Sequence, residues 1–264
     1  MRFLGLGVVL ALTCLFGRED TGLQVVGVDR TPEPEKAAVI VAVPQNGDFI
    51  SSPPVYLLIR VLGFPLGTDS KFPREDEVYN SSIGQNLRII IDDQPFFARV
   101  EPRLEPFLDQ GDYYETMYKI EVPYSLEEGV HTLRVYLARS FGESLKSART
   151  FWASTFYYQS QGGSLLINLK KPYLTYNEPD PSHSYAFGFP ILLDFLVQNC
   201  ELSKDGYQVR LIVDGHQERD LIFAPYYLYN LPRGRHTIEL ILIDRQGRPV
   251  EGRTNHVKRT IQVI

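Results

Sequence analysis

The sequence predicts an all-β protein made of two antiparallel β-sandwiches in tandem, preceded by an N-terminal signal segment and a tether. The first reason is that short β-branched and aromatic segments recur between Gly, Pro, Asn and Asp. The second is that no long amphipathic helical pattern follows residue 17. The third is a repeat: "GVHTLRVYLARSFG" (Gly129–Gly142) returns as "GRHTIELILIDRQG" (Gly234–Gly247).

The composition is that of a globular protein large enough for two domains. The chain has 264 residues, of which 44% are hydrophobic and 22% are charged. Aromatic residues, including 16 Tyr and 15 Phe, suit pleated sheets. A net charge of −5 gives no basic stripe of the kind that binds nucleic acid, so we expect no nucleic-acid partner.

Residues 1–17 are predicted to be an export signal. Arg2 precedes an apolar run from Phe3 to Gly17, which is too short to span a bilayer comfortably. The run "ALTC", ending at Cys14, resembles a bacterial lipobox, whose cysteine is lipidated. This resemblance implies an exported chain, held by a lipid at Cys14 in the periplasm or at the outer membrane or cell surface. The alternative is that Cys14 is removed with a signal peptide.

Residues 18–36 are predicted to be a tether, because they mix charges with prolines and show little apolar periodicity. The first sandwich is predicted over residues 37–158. Its expected strands, each short and rich in β-branched or aromatic residues, are Ala37–Val43, Val55–Leu62, Leu87–Asp92, Tyr118–Val122, His131–Ala138 and Phe151–Tyr158.

Residues 159–163, "QSQGG", are predicted to be a linker, and residues 164–264 a second sandwich. The expected strands of this half are Ser164–Leu169, Ile191–Val197, Val209–Asp214, Asp220–Phe223, His236–Asp244 and Arg259–Ile264. The halves match in order: "LRIIIDDQ" from Leu87 corresponds to "VRLIVDGH" from Val209. This ordered match indicates an internal duplication, with each half burying its own core.

The repeated phrase predicts one structural role for His131 and His236. Both lie at the start of a strand with core-side parity, where a ring can seal the sandwich end and hydrogen-bond a loop carbonyl. Neither has a second ligand at metal spacing, so metal binding is disfavoured. Gly129 and Gly234 supply the permissive backbone of the turn that enters each strand.

The strand and turn pattern of "VRLIVDG" followed by "LPRGRHTIELILIDRQG" resembles that of bacterial immunoglobulin-like and fibronectin-type-III-like domains. The resemblance covers nearly the whole chain after the signal, once per half. It implies tandem Ig-like sandwiches, which serve as adhesins, spacers, accessory modules or inhibitors. The chain departs from antibody domains, because its one Trp is Trp152 and it lacks a disulfide framework.

No catalytic motif is present, so we predict no catalytic residue, no metal site and no cofactor. His183 stands beside Asp180 and Ser182, but adjacent residues rarely form a triad, so a polar turn is expected. Cys200 is expected to be a small buried hydrophobe. The acidic residues are expected to be solvated in loops rather than to bind calcium; they are Asp69, Glu75, Asp76, Glu77, Asp92 and Asp93.

Two surfaces are candidates for binding. The connection Gly63–Asn86 is long for a compact sandwich, and such loops are commonly functional or disordered. Tyrosines in or beside loops of the second half can anchor a protein or stack on sugar rings; they are Tyr173, Tyr176, Tyr185, Tyr226, Tyr227 and Tyr229. The alternative is that they are buried in the sandwich or at the joint between domains.

These observations predict a non-enzymatic, exported binding or structural module of a bacterial envelope, interacting with another protein. The first alternative is a carbohydrate-binding accessory module that uses the loop tyrosines. The second is an enzyme of unknown type, disfavoured by the missing catalytic motifs.

Overall fold

A computed structural model of the chain describes residues 22–101, 108–110 and 113–264. The predicted signal, residues 1–17, and Cys14 lie outside the described residues. The described part is almost entirely β, which confirms the all-β sandwich prediction. It contains one short helix, α1 (Arg74–Glu77), and one 3₁₀ turn (Ala148–Thr150).

The strands, in chain order, are β1 Gln24–Gly27, β2 Ala38–Val43, β3 Phe49–Ile50, β4 Tyr56–Leu62, β5 Asn86–Ile91, β6 Phe97–Arg99, β7 Leu108–Gln110, β8 Tyr113–Glu121, β9 Gly129–Ala138, β10 Phe151–Tyr158, β11 Tyr173–Glu178, β12 Ser184–Tyr185, β13 Ile191–Gln198, β14 Gln208–Val213, β15 His216–Leu221, β16 Tyr226–Tyr229, β17 Gly234–Ile243 and β18 His256–Val263.

The first sandwich packs a sheet of order β2-β4-β8-β7 against a sheet of order β3-β10-β9-β5-β6. Alternate residues of the strands point inward, as in β4, where Leu57, Ile59 and Val61 are fully buried and their neighbours are not. These side chains join inward-facing residues of β5, β9 and β10 in one core. That core is separate from the core of the second sandwich.

The second sandwich repeats this arrangement with sheets of order β11-β13-β16-β1 and β12-β18-β17-β14-β15. β17 lies between β14 and β18, just as β9 lies between β5 and β10. The two repeated phrases therefore occupy equivalent strands. Gly129 and Gly234 begin these strands with φ of 132° and 134°, a conformation that favours glycine, as predicted.

The two halves differ in one edge strand. In the first sandwich, β7 pairs with β8 and comes from the adjacent stretch of chain. In the second, the four residues 222–225 between β15 and β16 leave no room for such a strand. The vacant edge of β16 is filled by β1, in an antiparallel register from Gln24 opposite Tyr229 to Gly27 opposite Tyr226. A segment that precedes the first sandwich thus completes the second.

β1 is integrated into the second sandwich by side-chain packing as well as by pairing. Leu23 and Val25 pack against the second core, and Arg219 Nη1 donates a 3.0 Å hydrogen bond to the carbonyl of Val25. A Cβ atom at Gly27 would lie 2.4 Å from Cζ of Phe223, so a larger residue would require the end of the Phe223 ring to move. The expectation that residues 18–36 form a tether is therefore corrected for this strand.

At the start of the second half, one expected strand is absent and another strand forms where none was expected. Ser164–Leu169 is not a strand, and Leu165 and Leu166 are exposed. The Asn168 side chain and carbonyl accept hydrogen bonds from the backbone amides of Lys170 and Lys171, so the backbone is satisfied by a local turn. The second sandwich begins instead with β11, within a stretch expected to be a loop.

Candidate binding surface

The six candidate tyrosines do not form an exposed surface. Five are at most 4% exposed, and only Tyr229 is half-buried; the five are Tyr173, Tyr176, Tyr185, Tyr226 and Tyr227. Alternation along β16 sends Tyr226 into the second core and Tyr227 to the opposite face, where the first sandwich covers it. The expectation of a tyrosine surface is corrected, and burial in the core or at the joint is what the structure shows.

Tyr227 is held by α1, which lies in the long connection Gly63–Asn86. Arg74 Nε donates to Tyr227 Oη at 2.9 Å, and Tyr227 Oη donates to Glu77 Oε2 at 2.7 Å. Burial, together with the bond to Glu77, raises the pKa of the Tyr227 phenol. Arg74 also forms an ion pair with Glu143 of the first sandwich. The long connection therefore joins the two sandwiches.

Buried polar side chains hold the facing sheets together. From β5, Arg88 donates to Asn177 Oδ1 at 2.5 Å and to Glu178 Oε1 at 2.7 Å. Tyr136 of β9 donates to the same Asn177 oxygen at 3.0 Å. Burial alone would lower the pKa of Arg88, but the Glu178 carboxylate outweighs this and raises it.

A second buried group in the interface centres on Asp194 of β13. Its carboxylate accepts hydrogen bonds from Asn177 Nδ2 at 2.6 Å, Ser144 Oγ at 2.5 Å and Lys146 Nζ at 2.5 Å. Burial lowers the pKa of Lys146 despite this carboxylate. Apolar clusters containing residues of both halves flank these bonds. The sandwiches thus share a buried interface with paired charges.

His131 is locked by two hydrogen bonds. Its Nδ1 lies 2.7 Å from Asp92 Oδ2 and its Nε2 lies 2.7 Å from the carbonyl of Glu127, which confirms the predicted carbonyl bond. Both partners are acceptors, so both ring nitrogens donate only when the imidazole is protonated. Burial lowers the pKa of His131, but these hydrogen bonds outweigh it and raise the pKa.

The same arrangement recurs in the second sandwich. His236 Nδ1 lies 2.6 Å from Asp214 Oδ2, and its Nε2 lies 2.8 Å from the carbonyl of Pro232. Asp214 also accepts from the amide of Thr237 at 2.7 Å. Burial raises the pKa of Asp214, but these hydrogen bonds lower it overall. In both sandwiches an aspartate, Asp92 or Asp214, thus binds the His ring and the amide of the Thr that follows it. These contacts give the histidines a structural role.

A group of exposed aromatic side chains lies elsewhere, where the long connection Gly63–Asn86 meets residues 183–189 of the second sandwich. Tyr79, from the long connection, stacks on His183 with ring centroids 4.1 Å apart. Nearby in the chain, Phe187 and Phe189 are 50% and 58% exposed, and Tyr79 is 41% exposed. These four residues, Tyr79, His183, Phe187 and Phe189, are called the aromatic patch below.

A cavity of about 210 Å³ lies beside two members of the aromatic patch, Tyr79 and Phe189. Its lining is mostly apolar, from Val78, Tyr79, Tyr185, Phe189 and Pro190, with Asp76 and Ser184 also contributing. The segment is fixed by backbone bonds: the amide of Phe187 donates to the carbonyl of Ile264 at 2.8 Å, and the amide of Ile264 donates to the carbonyl of Tyr185 at 2.9 Å. The exposed rings are therefore carried on an ordered backbone.

The prediction from sequence named only loop tyrosines and did not include Phe187 and Phe189. A usable signal was present in "YAFGFP", where two Phe flank Gly188 and a proline follows. Gly188 has a φ of 89°, which turns the chain so that the two rings leave the β alternation. At this turn both rings are left exposed.

The remaining candidates have structural roles. His183 and Ser182 donate backbone bonds to Asp180, which confirms the polar turn. Cys200 is half-buried against the second core, and burial raises its pKa to about 11. The acidic residues are more engaged than expected, since Asp92 binds His131 and Asp93 pairs with Arg253.

Among residues 22–101, 108–110 and 113–264, no group of three or more His, Cys, Asp or Glu side chains is placed to hold a metal ion. Within the same ranges, no helix is long and apolar enough to cross a membrane.

Comparison with known families and curated proteins gives no match to the sequence. Solved structures that match include the fibronectin(III)-like modules of CbhA from Clostridium thermocellum, at 15% identity and a TM-score of 0.27, covering 85% of this chain and 93% of that one. A chimeric titin Z1Z2 tandem matches at 13% identity and a TM-score of 0.23, covering 86% and 98% of the two chains. Latent PorU from Porphyromonas gingivalis matches at 11% identity and a TM-score of 0.26, over 93% of this chain and 20% of that one.

Proposed function

We propose that the protein is a non-enzymatic binding module that captures a protein partner through the aromatic patch. The observation that carries this proposal is that the exposed rings of Tyr79 and Phe189 line an apolar cavity, and that exposed Phe187 stands two residues from Phe189 on the same fixed backbone. Exposed apolar side chains grouped in this way are typical of interaction sites.

The chemistry of the patch favours an apolar anchor from the partner. Aromatic side chains supply large contact area with few rotatable bonds, so little entropy is lost when they are covered. The cavity beside Phe189 is lined by Val78, Tyr185 and Pro190, which would surround an inserted aliphatic or aromatic side chain. Burying such a side chain contributes about 1.5–3 kcal/mol.

A glycan is the second candidate ligand. Asp76 and Ser184 line the same cavity as the rings of Tyr79 and Phe189. A flat ring beside a carboxylate and a hydroxyl can stack on a sugar while the polar groups bind its hydroxyls.

Binding assays with single variants test the proposal. Phe187→Ser and Phe189→Ser remove exposed rings, so the fold should persist while capture of a partner from envelope extract falls at least tenfold. Phe49→Ser is the matched control, because Phe49 is 48% exposed in β3, outside the patch. Capture unchanged in both patch variants would refute the proposal, and binding on a glycan array that is lost in them would favour the glycan.

We further propose that the module is exported and lipid-anchored at Cys14 in a bacterial envelope. The support is the apolar run Phe3–Gly17 with "ALTC" within it, followed by charge at Arg18. Mass analysis of the mature N-terminus should find a lipidated Cys14, and Cys14→Ser should move the protein to the soluble fraction. A native protein that is already soluble and begins beyond Cys14 would contradict the anchor.

A further inference from the structure

A cleft of about 240 Å³ lies between the two sandwiches. The first sandwich lines it with residues that include Asp93 and Arg134 of β9. The second sandwich lines it with residues that include Tyr176 of β11, Arg259 of β18, and Thr254, which precedes β18. Arg253 and Lys258 also line it. We call this feature the cationic cleft.

The cationic cleft has an excess of positive charge. Four of its lining residues are Arg or Lys. Arg253 is paired with Asp93 and Lys258 with Glu239, which leaves Arg134 and Arg259 as the lining cations without a carboxylate partner among the described residues. Arg259 donates to the backbone carbonyls of Tyr176, Asn177 and Pro179, which are neutral and leave its charge uncompensated. An anion in the cleft would therefore be attracted chiefly by Arg134 and Arg259.

Arg134 is the most unusual of these cations. Its Nη1 donates to Thr175 Oγ1 at 2.9 Å and its Nη2 donates to the carbonyl of Asp92 at 2.6 Å, both neutral acceptors. The residue is only 3% exposed, and burial lowers its pKa. A buried guanidinium bound only to neutral acceptors lacks the carboxylate or phosphate that such a group normally pairs with.

Three of the residues that line the cleft also carry a buried polar atom that has no partner. In the described part of the chain, Arg134 Nε, Tyr176 Oη and Thr254 Oγ1 are buried without a hydrogen bond. All three belong to residues lining the cationic cleft, and each of these atoms carries a hydrogen to donate. Buried polar atoms are nearly always satisfied, so three in one cleft point to a missing acceptor.

We propose that the cationic cleft binds an oxyanion of phosphate chemistry, either free phosphate or the phosphate group of an ester. A phosphate is purely an acceptor at its charged oxygens, so it can satisfy donors that approach from different sides. Charge-assisted bonds from guanidinium and hydroxyl groups to phosphate are among the stronger hydrogen bonds in proteins. The anion would bridge Arg134 of the first sandwich and Tyr176 and Thr254 of the second.

This site is distinct from the aromatic patch, which shares no lining residue with it. Its test is therefore independent of the proposed partner binding. Because the ligand would contact both sandwiches, binding should also stabilise their association.

The test titrates the full chain with inorganic phosphate at low ionic strength, using calorimetry and the thermal unfolding midpoint. Sodium chloride at matched ionic strength controls for screening, which weakens any electrostatic attraction. Glycerol 3-phosphate forms a second arm: tighter binding of the ester would identify a phosphate ester as the source, and tighter binding of inorganic phosphate the free ion. Failure of both probes to bind more tightly than chloride would overturn the proposal.

Two variants locate the site. Tyr176→Phe and Thr254→Val each delete a hydroxyl that lacks a partner in the described residues, so stability without phosphate should be unchanged or higher. Phosphate affinity should fall about tenfold in each, as expected for one hydrogen bond to a charged group. Thr116→Val is the matched control, because Thr116 Oγ1 is equally buried and unpartnered but does not line the cleft. Equal affinity in all three variants and the parent would refute the site.

Discussion

Arg88 in the first sandwich and Glu178 in the second form an ion pair with a nitrogen–oxygen distance of 2.7 Å, and their side chains are only 4% and 6% exposed. The pair lies between facing sheets, so each charge depends on the other sandwich for its compensation. The two sandwiches therefore share a buried, charge-paired interface and are not joined by a linker alone.

Breaking this pair on one side should be strongly destabilising. Glu178→Gln leaves the Arg88 guanidinium buried without its carboxylate, and we expect a loss of about 3–5 kcal/mol in the free energy of unfolding. Chemical denaturation measures this loss. The double variant Arg88→Met with Glu178→Leu should recover much of it, because it removes both buried charges. A loss in the double variant equal to that of Glu178→Gln would contradict the explanation.

The edge strand β1 should control the stability of the second sandwich. Gly27→Val places side-chain atoms against the Phe223 ring, and we expect a loss of about 1–3 kcal/mol from overpacking. Gly22→Val is the control, because a Cβ there meets nothing within 4 Å. Equal unfolding midpoints for the two variants would show that the Phe223 ring moves aside at no cost and would contradict the predicted loss.

The dependence on β1 also predicts how the isolated second half behaves. Residues 164–264 alone lack the strand that covers the edge of β16, so we expect them to unfold with weak cooperativity. A synthetic peptide of residues 22–31 should bind this fragment and raise its unfolding midpoint. A fragment that is fully stable and indifferent to the peptide would contradict this expectation.

Removing a buried side chain from the core of the second sandwich should lower the free energy of unfolding. Leu240 in β17 is fully buried, so Leu240→Ala should lower the free energy of unfolding by about 2–5 kcal/mol. Leu165→Ala is the control, because Leu165 is 45% exposed and its loss should change stability by no more than about 0.5 kcal/mol. Similar losses in both variants would place Leu240 outside the core.

His131 should make stability depend on pH. Its pKa is raised in the folded state, so its contribution is fully present below the ordinary pKa of about 6.5 and is lost as the pH rises through the folded pKa. His131→Gln, which does not titrate, should flatten this fall in unfolding free energy measured from pH 5.5 to about 9. His216→Gln, at an exposed position in β15, should not.

Local features of this fold could be predicted from the sequence, and pairings between distant segments could not. The repeated His-Thr pair was enough to predict that His131 and His236 face the core side and bond a loop carbonyl. In each case the atoms involved lie within one strand and the turn before it. The pairing of β1 with β16 joins residues about 200 positions apart, and nothing in a polar segment with two prolines marks its partner.

The binding surface was only partly predictable for a similar reason. Alternation shows that Tyr226 and Tyr227 face opposite sides of β16, but it does not show which sides are covered by another sheet. The interface with the first sandwich buries Tyr227 and leaves Phe187 and Phe189 exposed on their glycine turn. The long connection Gly63–Asn86 was singled out by length alone, and it does supply Tyr79 to the patch.

The position of β1 has a mechanical consequence. A pulling force applied ahead of residue 22 would reach the folded protein at Gln24–Gly27. This strand is paired with β16, which lies about 200 residues later in the chain. The load would pass first to the second sandwich, while the first is bypassed until β1 detaches. Such a force would therefore be resisted by the four residue pairs of β1 with β16, and their rupture would uncover the edge of β16 and withdraw Leu23 and Val25 from the second core.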